Sequence, residues 1–306
     1  MNAIVAALLS AVCASLSNLF FRKNADIHKG PSAKGELAQF LFFYYLSAFA
    51  LSLISCPQLW SAKFNIPLFA TGAFVGILNC LLMALSFRAL RAGPAGLTFA
   101  FLNGSSLFPG LILFLLLGPD FGFSCSIIQG VGMVLVLIGL TIDARMKSSG
   151  QDKPAPQWLP YTLAAFFMQI LAMSCFQGRS LLFNGGPGGF FDRMLATPAD
   201  DIWFMPGLLG VPLIFQFALF LRKRTHLHKK ESAYGSLAGT GYFASTWLLL
   251  LATQVATASQ SCAIFPCFAI STMVLCNGWS YWLYEESFFL KTNLLCALGI
   301  TITALG

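Results

Sequence analysis

Apolar runs alternate with short polar or basic interruptions along the whole chain. Many of the runs reach the roughly 20 residues that a helix needs to cross a bilayer. By that ruler the sequence predicts ten spanning helices: 3–21, 36–56, 67–91, 94–117, 124–143, 158–183, 201–221, 233–253, 257–284 and 287–306. The first ends at Arg22 and Lys23 and runs into the polar stretch Asn24 to Gly35. Pro57 stops the second, because proline lacks the N–H that a continuing helix uses, and an interfacial turn with Trp60 and Lys63 follows. A segment rich in Lys, Ser and Pro, 144–157, then separates five runs in 1–143 from five in 158–306.

One passage occurs twice. ALRAGPAGLTFAFLNGSS from Ala89, a long apolar helix, Asp120 and QGVGMVLVLIG are answered by ATQVATASQSCAIFPCF from Ala252, another apolar helix, Glu285 and Glu286, and CALGITITALG. Ala89 meets Ala252 and Ala95 meets Ala258 at one offset. With about one helical turn inserted in the second copy, Phe121 meets Phe288, Gly132 meets Gly299 and Gly139 meets Gly306. An internal repeat in so apolar a chain predicts a membrane transporter of two equivalent halves.

Composition narrows the class further. Of the 306 residues, 57% are hydrophobic and 9% charged, and the mean hydropathy is +0.76. A soluble domain carries about 25% charged residues to cover its water-facing surface, so this chain belongs in a lipid bilayer. The net charge of +7 sits in short clusters beside apolar runs, as membrane-flanking loops require, and does not indicate nucleic-acid binding. The loops after the first, third, fifth, seventh and ninth runs hold 15 of the 18 Lys and Arg, with only Lys63, Arg179 and Arg193 on the other side. The positive-inside rule then places both termini outside the cytoplasm. Single cysteines inside apolar runs, with no CxxC pair, read as small buried hydrophobes, and His28, His226 and His228 all fall in polar loops. No metal or cofactor is expected. The N-terminus lacks the basic region of a signal peptide and is kept as a first span.

The five-plus-five plan, the ALRAGPA and ATQVATA helix starts, the acidic helix ends and the Gly-rich helices after them resemble the drug/metabolite transporter superfamily, specifically its EamA-like members. The resemblance implies an all-α membrane protein of ten transmembrane helices arranged as two inverted five-helix repeats. It also implies alternating access to a central substrate cavity between helices one, three, four and six, eight, nine. The chain departs from the family pattern at Gly118, Pro119 and Asp120, where the family usually has glutamate, and in its termini, which relatives keep in the cytoplasm.

A transporter needs polar groups at membrane depth that face a cavity, since a polar group facing lipid has no partner. The first run offers Ser10, Ala14, Ser17, Asn18 and Phe21 on one stripe; the sixth offers Gln169, Met173, Phe176, Gln177 and Ser180 at nearly the same spacing. Close helix packing accounts for the serines, whereas Asn18 and Gln169 fit packing and recognition equally. Gly72 and Gly76 mark a close helix contact, and Asn79 follows one turn on, near mid-span. Asn103 precedes Pro109 and Gln260 precedes Pro266, placing amides beside helix kinks. Tyr242, Trp247 and Phe265 are candidates to line a cavity for an aromatic or cationic organic molecule. Arg88 and Arg179 read as snorkelling side chains near helix ends, Asp200 and Asp201 as helix caps, and Glu285 and Glu286 as a cap or a proton relay.

These residues favour a non-enzymatic secondary transporter in the plasma (inner) membrane. It would move a small organic metabolite, an amino acid or a nucleoside-like compound such as S-adenosylmethionine, by exchange or proton coupling. No GxxxxGK[ST] motif for ATP occurs. A lipid or prenyl transferase needs acidic metal-binding clusters at membrane depth, where this chain has amides and hydroxyls. A non-transporting membrane subunit is the remaining alternative, and nothing in the sequence sets an oligomeric state.

Overall fold

In the computed structural model the described residues are 2–27, 36–121, 123, 125–148, 154–179, 198–223, 227–255, 258–285 and 290–305. They form α1 (Ala3–Ile27), α2 (Glu36–Ser55), α3 (Ile66–Ala92), α4 (Ala95–Ser105), α5 (Pro109–Leu117), α6 (Ile127–Ser148), α7 (Trp158–Gly178), α8 (Phe204–Lys223), α9 (Lys229–Val255), α10 (Ala258–Tyr284) and α11 (Leu290–Leu305). Short 3-10 turns at Pro57–Trp60, Pro119–Phe121 and Pro198–Trp203 join some of them.

Side-chain size decides which face of α1 turns inward. On α1, Ala3, Ala6, Ala7 and Ala11 are buried, while Leu8, Leu9, Val12 and Leu16 are exposed. A water-soluble helix does the reverse. Small residues inside let backbones approach, and large apolar residues outside face hydrocarbon, so the pattern is that of a membrane helix. Val131, Val134, Leu137 and Ile138 repeat the outward apolar face on α6. The protein is an all-α, multi-pass membrane protein.

The expected ten spans in two inverted five-helix repeats are not what the structure supports. Among the described residues six helices are both long and apolar enough to cross a membrane: Ala3–Asp26, Leu37–Ser55, Ile66–Ala92, Ala95–Leu117, Trp158–Gly178 and Asp201–Arg222. The apolar parts of α6 and α11, Ile127–Ile142 and Asn293–Leu305, are too short. The first two-thirds of α9, KKESAYGSLAGTGYFAST, is dominated by charged, small and hydroxyl residues. In α10 the first side chains lie outside the described residues. A ruler that accepts any mostly apolar stretch of sufficient length counts all four. Nothing among the described residues supports two inverted five-helix repeats.

Glycines set the closest contacts. A Cβ on Gly72 or Gly76 of α3 would strike the backbone of Phe204 or Leu208 on α8, and one on Gly207 of α8 would strike Phe69 on α3. The GxxxG spacing therefore marks a backbone-to-backbone seam. Gly235 and Gly239 of α9 lie in the same way against Phe40 and Tyr44 of α2, and Gly132 of α6 meets Gly299 of α11. Pro109 ends the fourth run's helix outright, with α4 stopping at Ser105 and α5 starting at the proline. Pro266, by contrast, is carried inside a continuous α10. Gly118, at φ 80°, closes α5, and Glu285, at φ 52°, follows the last residue of α10 in the left-handed region.

Hydrogen bonds between helices fix their directions. Ser10 Oγ reaches the Ser245 carbonyl (2.8 Å) and Ser17 Oγ the Ala238 carbonyl (2.8 Å), so α1 and α9 run antiparallel. Trp158 Nε1 donates to Thr98 Oγ1 (2.9 Å), bringing the start of α7 to the start of α4. Trp203 Nε1 donates to the Lys63 carbonyl (2.8 Å), bringing the start of α8 to the start of α3.

Candidate functional site

A cavity of about 140 Å³ lies between α1, α3, α4, α7, α9 and α10, with Tyr44 of α2 and Leu208 of α8 completing its wall. Its polar lining comes from Asn18, Asn79, Asn103, Gln169, Tyr242, Ser17, Ser86, Ser245 and Thr246. Phe21, Phe99, Phe176 and Phe268 contribute rings, and Met83 and Met173 contribute deformable thioethers. Among the described residues no charged side chain lines it.

Helical spacing explains the register. On α9 Tyr242, Ser245, Thr246 and Leu249 recur at i, i+3, i+4 and i+7, one face of the helix. On α3 the lining residues Val75, Asn79, Leu82, Met83 and Ser86 follow the same rule. Asn79 Nδ2 donates to the Tyr242 hydroxyl (2.7 Å) across the cavity wall, fixing both groups. Asn103 Nδ2 donates back to the Phe99 carbonyl (2.8 Å), which leaves its Oδ1 without a shown partner. Among the described residues Asn18 Nδ2 donates to the Cys276 sulfur (3.6 Å), a weak acceptor. The Ser86 hydroxyl, 2% exposed, has no hydrogen-bond partner among the described residues. The Tyr44 hydroxyl lies beside Ser17 yet makes no hydrogen bond of ordinary geometry. Buried polar groups are usually paired, and the Ser86 and Tyr44 hydroxyls are two wall groups that no described protein atom takes up.

Beyond the wall residues Phe21 and Phe176 lie two buried arginines, Arg22 and Arg179. Next to Phe21, Arg22 is 6% exposed and donates from Nη1 to the Leu90 carbonyl (2.5 Å) and the Gly93 carbonyl (3.5 Å). Its Nε pairs with Asp26 (3.2 Å), and its guanidinium lies over the Tyr284 ring (5.2 Å). Arg179, also 6% exposed, pairs with Asp201 through Nε (3.1 Å) and Nη2 (3.4 Å) and donates from Nη1 to the Phe176 carbonyl (2.6 Å). It sits over the rings of Phe176 (4.5 Å) and Phe204 (5.4 Å), and Gln254 Nε2 also donates to Asp201 (3.3 Å). Arg179 thus forms an ion pair instead of snorkelling, and Asp201 is its partner instead of a helix cap. Arg22 is a buried member of α1 and not the start of a loop.

The residues singled out from sequence divide as follows. Asn18, Asn79, Asn103, Gln169 and Tyr242 come together around the cavity. Trp247 does not reach it: one residue past Thr246 turns the side chain about 100°, and it is exposed on the outer face. Phe265 is packed against the clusters between α1, α9 and α10, outside the cavity wall. Gln177 lies beyond Phe176 and is not part of the wall. The side chain of Gln260 falls outside the described residues. Sequence reasoning missed Tyr44 and Ser86, neither of which carries a local signal. It also missed the Arg22 network, for which the i, i+4 spacing of Arg22 and Asp26 was a usable sign.

No family model matches the chain, and no curated protein matches it. The geometry defines a class only: a multi-pass membrane protein with a polar cavity inside its helix bundle.

Proposed function

We propose that this protein is a secondary transporter that carries a small organic solute through the cavity between α1, α3, α4, α7, α9 and α10. The carrying observation is the placement of the hydrogen-bonding groups: Asn18, Asn79, Asn103 and Gln169 converge on one space, with buried arginine networks beyond its wall residues Phe21 and Phe176. A packing-only role for these residues predicts amides paired with one another across a filled interface. Here Gln169 makes no side-chain hydrogen bond among the described residues, and Ser86 has none either. Amides and hydroxyls recognise a solute well and serve poorly as general acids or bases, which favours carriage over catalysis. The resemblance to EamA-like drug/metabolite transporters in ALRAGPA and ATQVATA agrees with this reading. Arg22, Lys23, Arg88, Arg91, Lys229 and Lys230 gather at the end where α1 and α3 finish and α9 begins, and that end faces the cytoplasm by the positive-inside rule.

The test is vesicle efflux. Proteoliposomes loaded with a mixed extract of small metabolites should lose particular solutes, saturably, faster than protein-free vesicles. Ala14→Phe, which fills the cavity from α1, should stop the loss. Equal efflux from vesicles with and without the protein overturns the proposal.

A further inference from the structure

Resting on that reading, we infer that the solute is an uncharged, hydrogen-bonding heteroaromatic ring of about the size of a free nucleobase. Three observations converge on this class.

The first is charge. No carboxylate, ammonium or guanidinium lines the cavity among the described residues. The two nearby guanidinium groups are already engaged: Arg22 by the Leu90 and Gly93 carbonyls and Asp26, Arg179 by Asp201 and the Phe176 carbonyl. A carboxylate or ammonium entering such a space gives up its hydration without gaining a counter-charge, a penalty that neutral amides do not offset. This argues against the zwitterionic amino acid and the sulfonium-bearing S-adenosylmethionine among the expected substrates.

The second is the pairing of flat apolar faces with amide edges. Rings such as Phe21, Phe99 and Tyr242 share the wall with Asn79, Asn103 and Gln169. A carboxamide presents an acceptor and a donor side by side, the complement of the adjacent donor and acceptor on a nucleobase edge. Aromatic side chains supply the stacking surface for its face. Asn79 Nδ2 is held by Tyr242, so its Oδ1 is the fixed acceptor, and the unpartnered Ser86 hydroxyl is a donor.

The third is size. The cavity holds about 140 Å³, close to the roughly 150 Å³ of an apolar protein cavity that takes up benzene. One ring system fills that volume, and a ring with an attached ribose would extend beyond it.

Binding of radiolabelled uracil and adenine to the purified full-length protein, paired with uptake into proteoliposomes, tests this. At least one of the two bases should bind saturably and be taken up. Uridine, leucine and tetramethylammonium should compete at least tenfold more weakly. Asn79→Leu should weaken base binding tenfold or more, and the milder Ser86→Ala should weaken it several-fold with an unchanged melting temperature. Trp247→Phe, on the outer face, should leave it unchanged. If leucine, tetramethylammonium or uridine competes as well as the bases, or if neither base binds while other solutes leave loaded vesicles, the assignment is overturned and the transporter reading stands. If no solute binds or moves, both fall together.

Discussion

Removing the carboxylate of Asp201 is the sharpest probe of how the bundle is closed. Asp201 and Arg179 meet at 3.1 Å with side chains 8% and 7% exposed, so little water is available to take over either charge. Breaking a buried pair by deleting one partner typically costs about 3–5 kcal/mol, because a charge is left desolvated and uncompensated. In Asp201→Asn the guanidinium keeps the Phe176 carbonyl and the faces of Phe176 and Phe204, which places the loss near the lower end, about 3 kcal/mol. At about 2 °C per kcal/mol for a chain of this size, the melting midpoint in detergent should fall by roughly 6 °C. The double variant Arg179→Met with Asp201→Leu removes both charges and should recover most of the loss. Differential scanning fluorimetry on the three proteins decides the matter. A melting curve for Asp201→Asn that overlies the wild type would refute the claim that this pair is desolvated and binding, as would a double variant less stable than the single.

The remaining expectations concern other parts of the molecule. Gly239→Leu drives a side chain into the Tyr44 carbonyl of α2, and overpacking of this kind costs about 1–3 kcal/mol or more; size-exclusion chromatography should show loss of the monodisperse peak. Gly278, where a Cβ meets nothing, should accept alanine without change in the same assay. Burial pushes the Cys56 thiol above its usual pKa. Because the thiolate is the reactive form, maleimide labelling of Cys56, followed by peptide mass spectrometry, should be slow at neutral pH and still be rising above pH 9, where an ordinary exposed thiol levels off; an early plateau contradicts the burial.

Features confined to one helix were legible in the sequence, and features that join distant helices were not. The α1 stripe of Ser17, Asn18 and Phe21 lines the cavity because helical periodicity alone puts those positions on one face. The same periodicity, applied strictly, separates Tyr242 from Trp247, which an aromatic count alone groups with it. Arg179 and Asp201 are joined across a stretch of chain whose course no local pattern encodes, and Arg22 reaches α3 carbonyls that leave no mark in side-chain identity. The span count failed for a different reason. Length and overall apolarity do not register that the span from Ala233 is rich in Gly, Ser and Thr or that the apolar part of α11 is short.

The glycine seams carry a mechanical consequence. Where α3 meets α8, α2 meets α9 and α6 meets α11, main chains touch with no long side chains to comb apart, and Gly241 of α9 likewise lies against Cys13 and Ser17 of α1. Side chains make other joints: α1 and α10 border the cavity, and Arg22 fastens α1 to the carbonyls of Leu90 and Gly93. The molecule is in this sense an assembly of beams laid main chain to main chain and fastened by a few side-chain clasps.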